Sequence, residues 1–228
     1  MRKLIQYIKN NRHLLFLLFV PFYMVMFFLL EHYVTDNYWV SYLPLDDKIP
    51  FLEGFVIPYY LWYPFLAVPG IYVLLKDVPA FKRYMTLIVC GYSFSLLVCF
   101  LFPNGQDLRP TSFARDNVFT RLVALMYSID TNTNVIPSVH VIGSIAALTV
   151  VIDCDALRKR WVFPVLAALL CTAICASTVL IKQHSILDVF AGIAVAIPLI
   201  LIVYRKRIFR RRKPEDAEPA DSGDSSQA

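Results

Sequence analysis

Charged residues are scarce in this sequence, and their scarcity excludes an ordinary soluble domain. Asp, Glu, Lys and Arg make up 17% of the 228 residues, against about 25% in typical soluble proteins. Hydrophobic residues reach 58%, and the mean hydropathy is +0.58. The net charge of +5 does not indicate a nucleic-acid partner, because the basic residues cluster at the ends of apolar runs. We therefore interpret the basic charge as a signal of membrane topology.

Cysteine pairs and a cleavable leader are also missing. The five cysteines include no Cys-x-x-Cys pair and no Cys/His spacing typical of a metal site, and all lie in or beside apolar segments. Buried thiols are therefore expected, and a disulfide framework is not. The first apolar run is followed by Glu31-His32-Tyr33 rather than by a small-residue cleavage site. We interpret this run as a retained membrane span.

Six apolar runs approach the length of about 20 residues that a bilayer crossing requires. They predict an all-α fold, a polytopic membrane protein with a bundle of six transmembrane helices. The predicted spans are about 14–30, 56–75, 84–102, 137–155, 161–181 and 185–204. The fourth reaches the required length only if Pro137–His140 and Asp153–Ala156 belong to the helix. We assign residues 1–213 to a single membrane domain and 214–228 to a disordered acidic tail.

The Lys and Arg residues predict the orientation of the chain. Seventeen of the 22 lie before span one, between spans two and three, between spans four and five, or after span six. Because basic loops stay on the cytoplasmic side, both termini are expected to be cytoplasmic in a multi-pass protein of the cell membrane. Loops 31–55 and 103–138 and the turn at 182–185 then face outward, and spans four and six begin at that same outer face.

The long second outer loop contains a predicted short helix. Asp116-Asn117 has the form of a helix cap. An apolar stripe at helical spacing follows, formed by Phe119, Leu122, Val123 and Met126. We expect this helix to lie in the membrane interface. The aromatic residues of the first outer loop and of Pro58-Tyr59-Tyr60-Leu61-Trp62-Tyr63-Pro64 are interpreted as residues of the interfacial aromatic belt, with a ligand-binding role as the alternative.

Two stretches carry the residues of a candidate site. In NVIPSVHVIGS, Pro137 and Ser138 are residue types that open helices, so His140 is predicted in the first turn of span four. A helix N-terminus offers unpaired N–H groups and partial positive charge, which suit an anion. His184 stands at the start of span six with Asp188 four residues on, a spacing that puts both on one helix face. We expect a phosphate to be held between the two histidines.

The chemistry of these side chains fits phosphoryl transfer. A carboxylate on one imidazole nitrogen fixes the tautomer and leaves the other nitrogen as a nucleophile or base, which is the role expected for Asp188 beside His184. The alternative for this pair is a buried hydrogen bond with a structural role only. A second histidine, His140, is the natural proton donor to a leaving oxygen near neutral pH. Phosphoryl oxygens also need cations and N–H donors, and the candidates on the same side are Arg109, Lys182 and Ser138.

These residues also carry a family resemblance. Three motifs stand in the sequence as Leu108-Arg109-Pro110, as Pro137-Ser138-Val139-His140, and as Ser177-Thr178 followed by His184 and Asp188. From about Phe102 to Gly192 the chain resembles the type 2 phosphatidic acid phosphatase (PAP2) superfamily. The resemblance implies a phosphohistidine mechanism without metal or other cofactor, in which His184 attacks phosphorus, Asp188 holds His184, and His140 protonates the leaving group. The implied partners are the bilayer and a lipid-phosphate or isoprenyl-phosphate substrate.

Three positions differ from the family pattern. The first-motif lysine falls at Phe102, the second-motif glycine at Val139, and the third-motif arginine at Thr178. Two of the usual phosphate cations are therefore missing, and we expect Lys182 or Gln106 to compensate. The loss also resembles the branch that includes inositol phosphorylceramide and sphingomyelin synthases, which move a phospho-headgroup between lipids.

Four functions follow from this set of residues. The leading hypothesis is a membrane lipid-phosphate phosphatase with its site at the outer face. The second is a lipid phosphotransferase on the same site, which would release little inorganic phosphate. The third is a transporter or other non-enzymatic protein that uses His140, His184 and Asp188 as a proton relay. The fourth is a zinc site formed by the same three residues.

Overall fold

The computed structural model describes residues 11–34, 37–205 and 207. The α-helices are α1 (Phe19–Tyr33), α2 (Val56–Lys76), α3 (Val78–Leu101), α4 (Val118–Ile129), α5 (Val139–Asp153), α6 (Asp155–Arg158), α7 (Val162–Leu180) and α8 (Ile186–Val203). Short 3-10 helices cover Arg12–Leu18, Asp46–Lys48 and Glu53–Phe55, and two short strands are β1 (Trp39–Val40) and β2 (Asn104–Gly105). The acidic tail predicted at 214–228 lies outside the described residues.

The all-α polytopic membrane fold is confirmed. Five helical segments are long and apolar enough to cross a bilayer. They are Arg12–Tyr33, Glu53–Lys76, Val78–Leu101, Val162–Leu180 and Ile186–Val203. They correspond to predicted spans one, two, three, five and six. Each has an apolar surface that faces away from the bundle, as a bilayer-exposed helix requires.

The predicted fourth span is shorter than expected. Helix α5 has 15 residues, and the backbone is extended at Ser138 on one side and at Cys154 on the other. Fifteen residues rise only about 22 Å, less than the hydrocarbon core of about 30 Å. The predicted bounds of 137–155 are therefore too wide at both ends.

Helix α5 is the centre of the bundle and packs against α2, α3, α7 and α8. Small residues bring these neighbours close, as in many membrane bundles. A Cβ at Gly143 would overlap the Tyr92 hydroxyl of α3, and a Cβ at Gly192 of α8 would lie 2.9 Å from the Val141 Cβ. A short, slim, largely buried helix therefore carries His140 into the interior of the fold.

Loops cover one end of the bundle, which we call the histidine end because it carries His140 and His184. Strand β1 pairs in parallel with β2, which joins the first long loop to the second. The Asn104 side chain accepts hydrogen bonds from the amides of Val135 and Ile136, each at 2.9 Å, and so fixes the approach to α5. The opposite end is closed by Asp153, which forms ion pairs of 2.6 Å with Arg83 and Arg207.

The predicted short helix of the second long loop is present as α4. Asn117 caps it reciprocally with Thr120. Of its apolar stripe, Val123 and Met126 are buried. They pack in a cluster with Val56, Tyr59 and Ile181. The helix is thus bound to the histidine end by its own apolar face.

Candidate active site

The two histidines lie in contact. The Nε2 atom of His184 is 3.4 Å from the Nδ1 atom of His140. His140 comes from the first turn of α5 and His184 from the turn between α7 and α8. Their exposed fractions are 6% and 5%. The structure therefore brings together two imidazoles that are 44 residues apart in sequence, and it shields both from solvent.

Asp188 fixes the orientation of His184. Its Oδ2 atom lies 3.2 Å from the Nδ1 atom of His184 and accepts a hydrogen bond from the Ser185 amide at 3.0 Å. Its Oδ1 atom accepts a hydrogen bond from the hydroxyl of Ser41 in the first long loop. An ionised carboxylate only accepts, so His184 presents Nδ1–H to Asp188 and keeps a lone pair on Nε2. That lone pair faces His140.

The turn that carries His184 is built from backbone hydrogen bonds. The amides of Gln183 and His184 both donate to the Thr178 carbonyl at 2.9 Å. Lys182 adopts a left-handed backbone with φ of 56°, which reverses the chain direction after α7. Ser185 then caps α8, and Asp188 completes a capping box. The i, i+4 pair seen in the sequence is thus also a helix-capping device.

Ser138 lies beside the histidines, as predicted. Its Oγ atom is 3.5 Å from the His184 Nε2 atom, and its amide donates to the Asp188 carbonyl at 3.2 Å. It occupies the N-cap position of α5, but its side chain does not cap the helix. The hydroxyl and the first amides of α5 are therefore donors next to the reactive face of His184.

Arg109 contacts the scaffold of the site through four acceptors. Its Nη atoms donate to the Asp130 carbonyl at 2.6 Å, to the Gln183 Oε1 atom at 2.5 Å, and to the carbonyls of Tyr127 and Thr131. Its guanidinium also lies 4.2 Å from the centre of the Tyr127 ring. Burial lowers the pKa of Arg109, and the nearby Asp130 opposes that shift. Phosphate binding by Arg109 stays a prediction.

Lys182 and Gln106 also hold the scaffold. The Lys182 Nζ atom donates to the carbonyls of Asp46 at 2.8 Å and Ile49 at 2.6 Å. Burial lowers its pKa, against the attraction of Asp46 and Asp47. The Gln106 side chain donates to the Lys182 carbonyl at 3.0 Å and accepts from the Leu108 amide at 2.6 Å. Their expected role as substitute phosphate ligands has no direct contact to support it, because both side chains bind backbone groups here.

Three polar residues of the site were missed by the sequence analysis. Ser41 contacts Asp188, and Gln183 joins Arg109 to the turn that carries His184. Asp46 accepts hydrogen bonds from the Ser185 hydroxyl at 2.6 Å and from the Ile186 amide at 2.8 Å. Only Gln183 had a usable signal, namely its place directly before His184. Ser41 and Asp46 are more than 130 residues from their partners, and no spacing links them.

Two aromatic residues form the wall of His140. The ring centres of Tyr59 and Trp62 lie 4.6 Å and 4.3 Å from that of His140. Both side chains are buried, so their interpretation as interfacial belt residues is wrong. The Tyr59 hydroxyl donates to Asp130 at 2.6 Å. Burial raises the pKa of the Asp130 carboxyl, and that hydrogen bond from Tyr59 opposes the shift.

The zinc hypothesis lacks a complete ligand set in the part of the chain that the structure describes. There, no group of three or more His, Cys, Asp or Glu residues has the geometry to hold a metal ion. His184 and Asp188 use their facing atoms on each other, which leaves His184 Nε2 and the ring of His140 for chemistry.

Comparison with known proteins agrees with the motifs. No curated protein and no solved structure matches the chain. The family model of the PAP2 superfamily matches residues 100–212. The matched region contains Arg109, Ser138, His140, His184 and Asp188, and with them the whole histidine pair. Over residues 100–212, this chain belongs to the PAP2 superfamily.

Proposed function

We propose that the protein is a lipid-phosphate phosphatase that works through a phosphohistidine on the Nε2 atom of His184. Membership of the PAP2 superfamily implies phosphatase-type or phosphotransferase-type chemistry on lipid phosphates. The observation that carries the proposal is the pairing of the histidines. His184 has its Nδ1 atom committed to Asp188 and its Nε2 lone pair directed at His140 Nδ1, 3.4 Å away.

The first half-reaction makes the phosphoenzyme. The Nε2 atom of His184 attacks phosphorus, and the bond from phosphorus to the lipid oxygen breaks. Protonated His140 gives its Nδ1 proton to that oxygen, so the lipid leaves as a neutral alcohol. Asp188 stabilises the positive charge that develops on the His184 ring. The Ser138 hydroxyl and the first amides of α5 donate to the phosphoryl oxygens.

The second half-reaction returns the enzyme to its starting state. A water attacks phosphorus, and the nitrogen–phosphorus bond breaks with its electron pair returning to His184 Nε2. His140 Nδ1 takes the proton of the attacking water and is thereby reset as the acid. A nitrogen–nitrogen distance of 3.4 Å leaves no room for a phosphoryl group between the rings. Binding of substrate therefore requires the two rings to separate from this closed arrangement.

A lipid phosphotransferase is the second candidate, and burial of the site favours it. The histidines are about 95% buried, and the nearby cations Arg109 and Lys182 are bound to carbonyl groups. A site closed to water allows a second lipid alcohol to take the phosphoryl group in place of water. A proton relay through His140, His184 and Asp188 is the non-enzymatic alternative.

The proposal is tested with purified protein in detergent, in the presence of EDTA and a mixture of lipid monophosphates, diphosphates and diacylglycerol. Free phosphate and lipid products are followed together by mass spectrometry for the wild type, for His184→Ala, and for His32→Ala as an exposed histidine control. The phosphatase predicts free phosphate from the wild type and the control, and none from His184→Ala. New phospholipid with little free phosphate would assign the transferase. No phosphorus chemistry in any sample, or full activity in His184→Ala, would contradict both.

A further inference from the structure

In the described part of the chain, several buried polar atoms on His140 and its neighbours have no hydrogen-bond partner. Among the described residues, the Nε2 atom of His140, the Nε1 atom of Trp62, the hydroxyl of Tyr92 and the hydroxyl of Ser144 make no hydrogen bond. The exposed fractions of these residues are 6%, 9%, 5% and 0%. Buried polar atoms are nearly always hydrogen-bonded, and leaving one unpaired costs about 1–3 kcal/mol. Four such atoms on adjoining helices therefore call for hydrogen-bond partners.

The unpartnered groups of Trp62 and Tyr92 converge on Gly143, one turn below His140. A Cβ on Gly143 would overlap the Tyr92 hydroxyl and would lie 3.1 Å from the Trp62 Nε1 atom. Trp62 also packs on the His140 ring, with 4.3 Å between the ring centres. Ser144 lies on the next turn of the same helix as His140. None of these atoms forms a hydrogen bond with another, so a small polar group that bridges them would supply the missing hydrogen bonds.

The hydrogen-bonding capacities of the side chains define that group. The Trp62 indole can only donate, so its partner must accept. Protonated His140 donates from both ring nitrogens. Its Nδ1 atom faces His184, which leaves the Nε2–H group as the donor to the bridging group. A water molecule accepts from both and donates in turn to the Tyr92 oxygen. Three hydrogen bonds are the usual number for a buried water.

We propose that Trp62 and Tyr92 hold a buried water that accepts a hydrogen bond from His140 Nε2–H, and that they are thereby positioning residues for the protonated form of His140. The kinetic part of this inference rests on the proposed function, in which His140 gives up its Nδ1 proton. The predicted change in the protonation of His140 does not rest on it, because that change concerns only the hydrogen bond of the Nε2 atom. The water keeps the Nε2 proton in place while the Nδ1 proton is delivered and recovered.

Other groups that face His140 do not supply this hydrogen bond. His184 approaches Nδ1, Tyr59 packs on the ring, and the carboxylates of Asp188 and Asp130 reach it only through His184 and Tyr59. Loss of the water is therefore expected to destabilise protonated His140 specifically.

The test is an NMR titration of protein labelled with 15N-histidine, with no substrate present. The chain has four histidines, so His140→Gln identifies the signal of His140 by its disappearance. The variants are Tyr92→Phe and Trp62→Phe, which keep an aromatic ring but remove the polar group. The matched control is Tyr204→Phe, which removes another buried hydroxyl without a partner among the described residues, at the opposite end of the bundle.

The proposal predicts that the midpoint of His140 protonation moves to lower pH in Tyr92→Phe and in Trp62→Phe and is unchanged in Tyr204→Phe. A shift of one pH unit corresponds to a tenfold loss of the protonated form, within the range expected for a hydrogen bond to a charged group. With phosphatidic acid as substrate, kcat should fall about tenfold with little change in KM. The alkaline limb of the pH profile of kcat should also move to lower pH. Unchanged midpoints in both variants would overturn the inference, whichever way the activity of the wild type turns out.

Discussion

At the scale of single residues, Asp188 is the group on which the geometry of the histidine pair depends. It contacts His184, the Ser185 amide and the Ser41 hydroxyl, and it is fully buried. Isolation of a carboxylate from water is unfavourable unless hydrogen bonds compensate it. All three compensating donors belong to segments that also shape the site. The same contacts that stabilise the buried charge therefore set the tautomer of His184.

Replacement of this carboxylate tests its role directly. In Asp188→Asn the amide group can donate to His184 Nδ1, which would move the ring proton to Nε2 and remove the nucleophilic lone pair. We expect kcat for phosphatidic acid to fall about 10³–10⁴-fold, as in other catalytic groups oriented by a carboxylate, with KM nearly unchanged. The measurement is steady-state kinetics beside Asp47→Asn, an exposed carboxylate of the first long loop. A loss of less than about tenfold would show that Asp188 is structural only.

At the scale of elements, Arg109 joins the end of α4 to the turn that carries His184. Its acceptors are the carbonyls at the end of α4 and the side chain of Gln183. A lysine in place of Arg109 would keep the positive charge but would lose the several N–H donors that the planar guanidinium holds in fixed directions. Arg109 therefore positions His184 indirectly, through its hydrogen bond to Gln183, the residue directly before His184.

We expect Arg109→Lys to destabilise the protein by about 3 kcal/mol, because several buried acceptors lose their donor at once. The melting temperature in detergent should fall clearly, and kcat should fall with it. The control is Arg121→Lys, whose ion pair with Asp116 is exposed. An unchanged melting temperature together with a raised KM would instead identify Arg109 as a phosphate ligand.

The elements also show how far the sequence could predict this site. The His184–Asp188 contact followed from i, i+4 spacing, and the meeting of His140 with His184 followed from placing both at one end of the bundle. The partners of Arg109 and Lys182 could not be predicted, because they are backbone carbonyls, which carry no sequence signal. The docking of Ser41 on Asp188 depends on the path of a long loop. The end of α5 was misplaced because the predicted span was extended to the length of a bilayer crossing, whereas the helix stops where the backbone becomes extended at Cys154.

At the scale of the whole molecule, the two ends of the bundle differ in their use of charge. At the histidine end the partly buried cations Arg109 and Lys182 donate to carbonyls, whereas the opposite end pairs Arg83 and Arg207 with Asp153. The excess of Lys and Arg at that opposite end predicts that it is cytoplasmic. We propose accordingly that the histidine end faces outward from the cell membrane.

Cysteine labelling tests this orientation. In a Cys90→Ser background, Arg115→Cys introduces an exposed thiol at the histidine end and Lys159→Cys one at the opposite end. A membrane-impermeant maleimide on intact cells should label residue 115 and leave residue 159 unlabelled until the cells are permeabilised. The reverse pattern would place the histidines on the cytoplasmic side.

Rapid quenching into alkali tests whether His184 carries the phosphoryl group. Wild-type protein is mixed with phosphatidic acid for milliseconds, quenched, digested and analysed by mass spectrometry and 31P NMR, with His184→Ala in parallel. A phosphohistidine mechanism predicts phosphate on the Nε2 atom of His184 in the wild type, formed no more slowly than the overall turnover, and no phosphohistidine in the variant. Phosphate on His140 or Ser138, or steady turnover with no phosphoenzyme at any time, would contradict it.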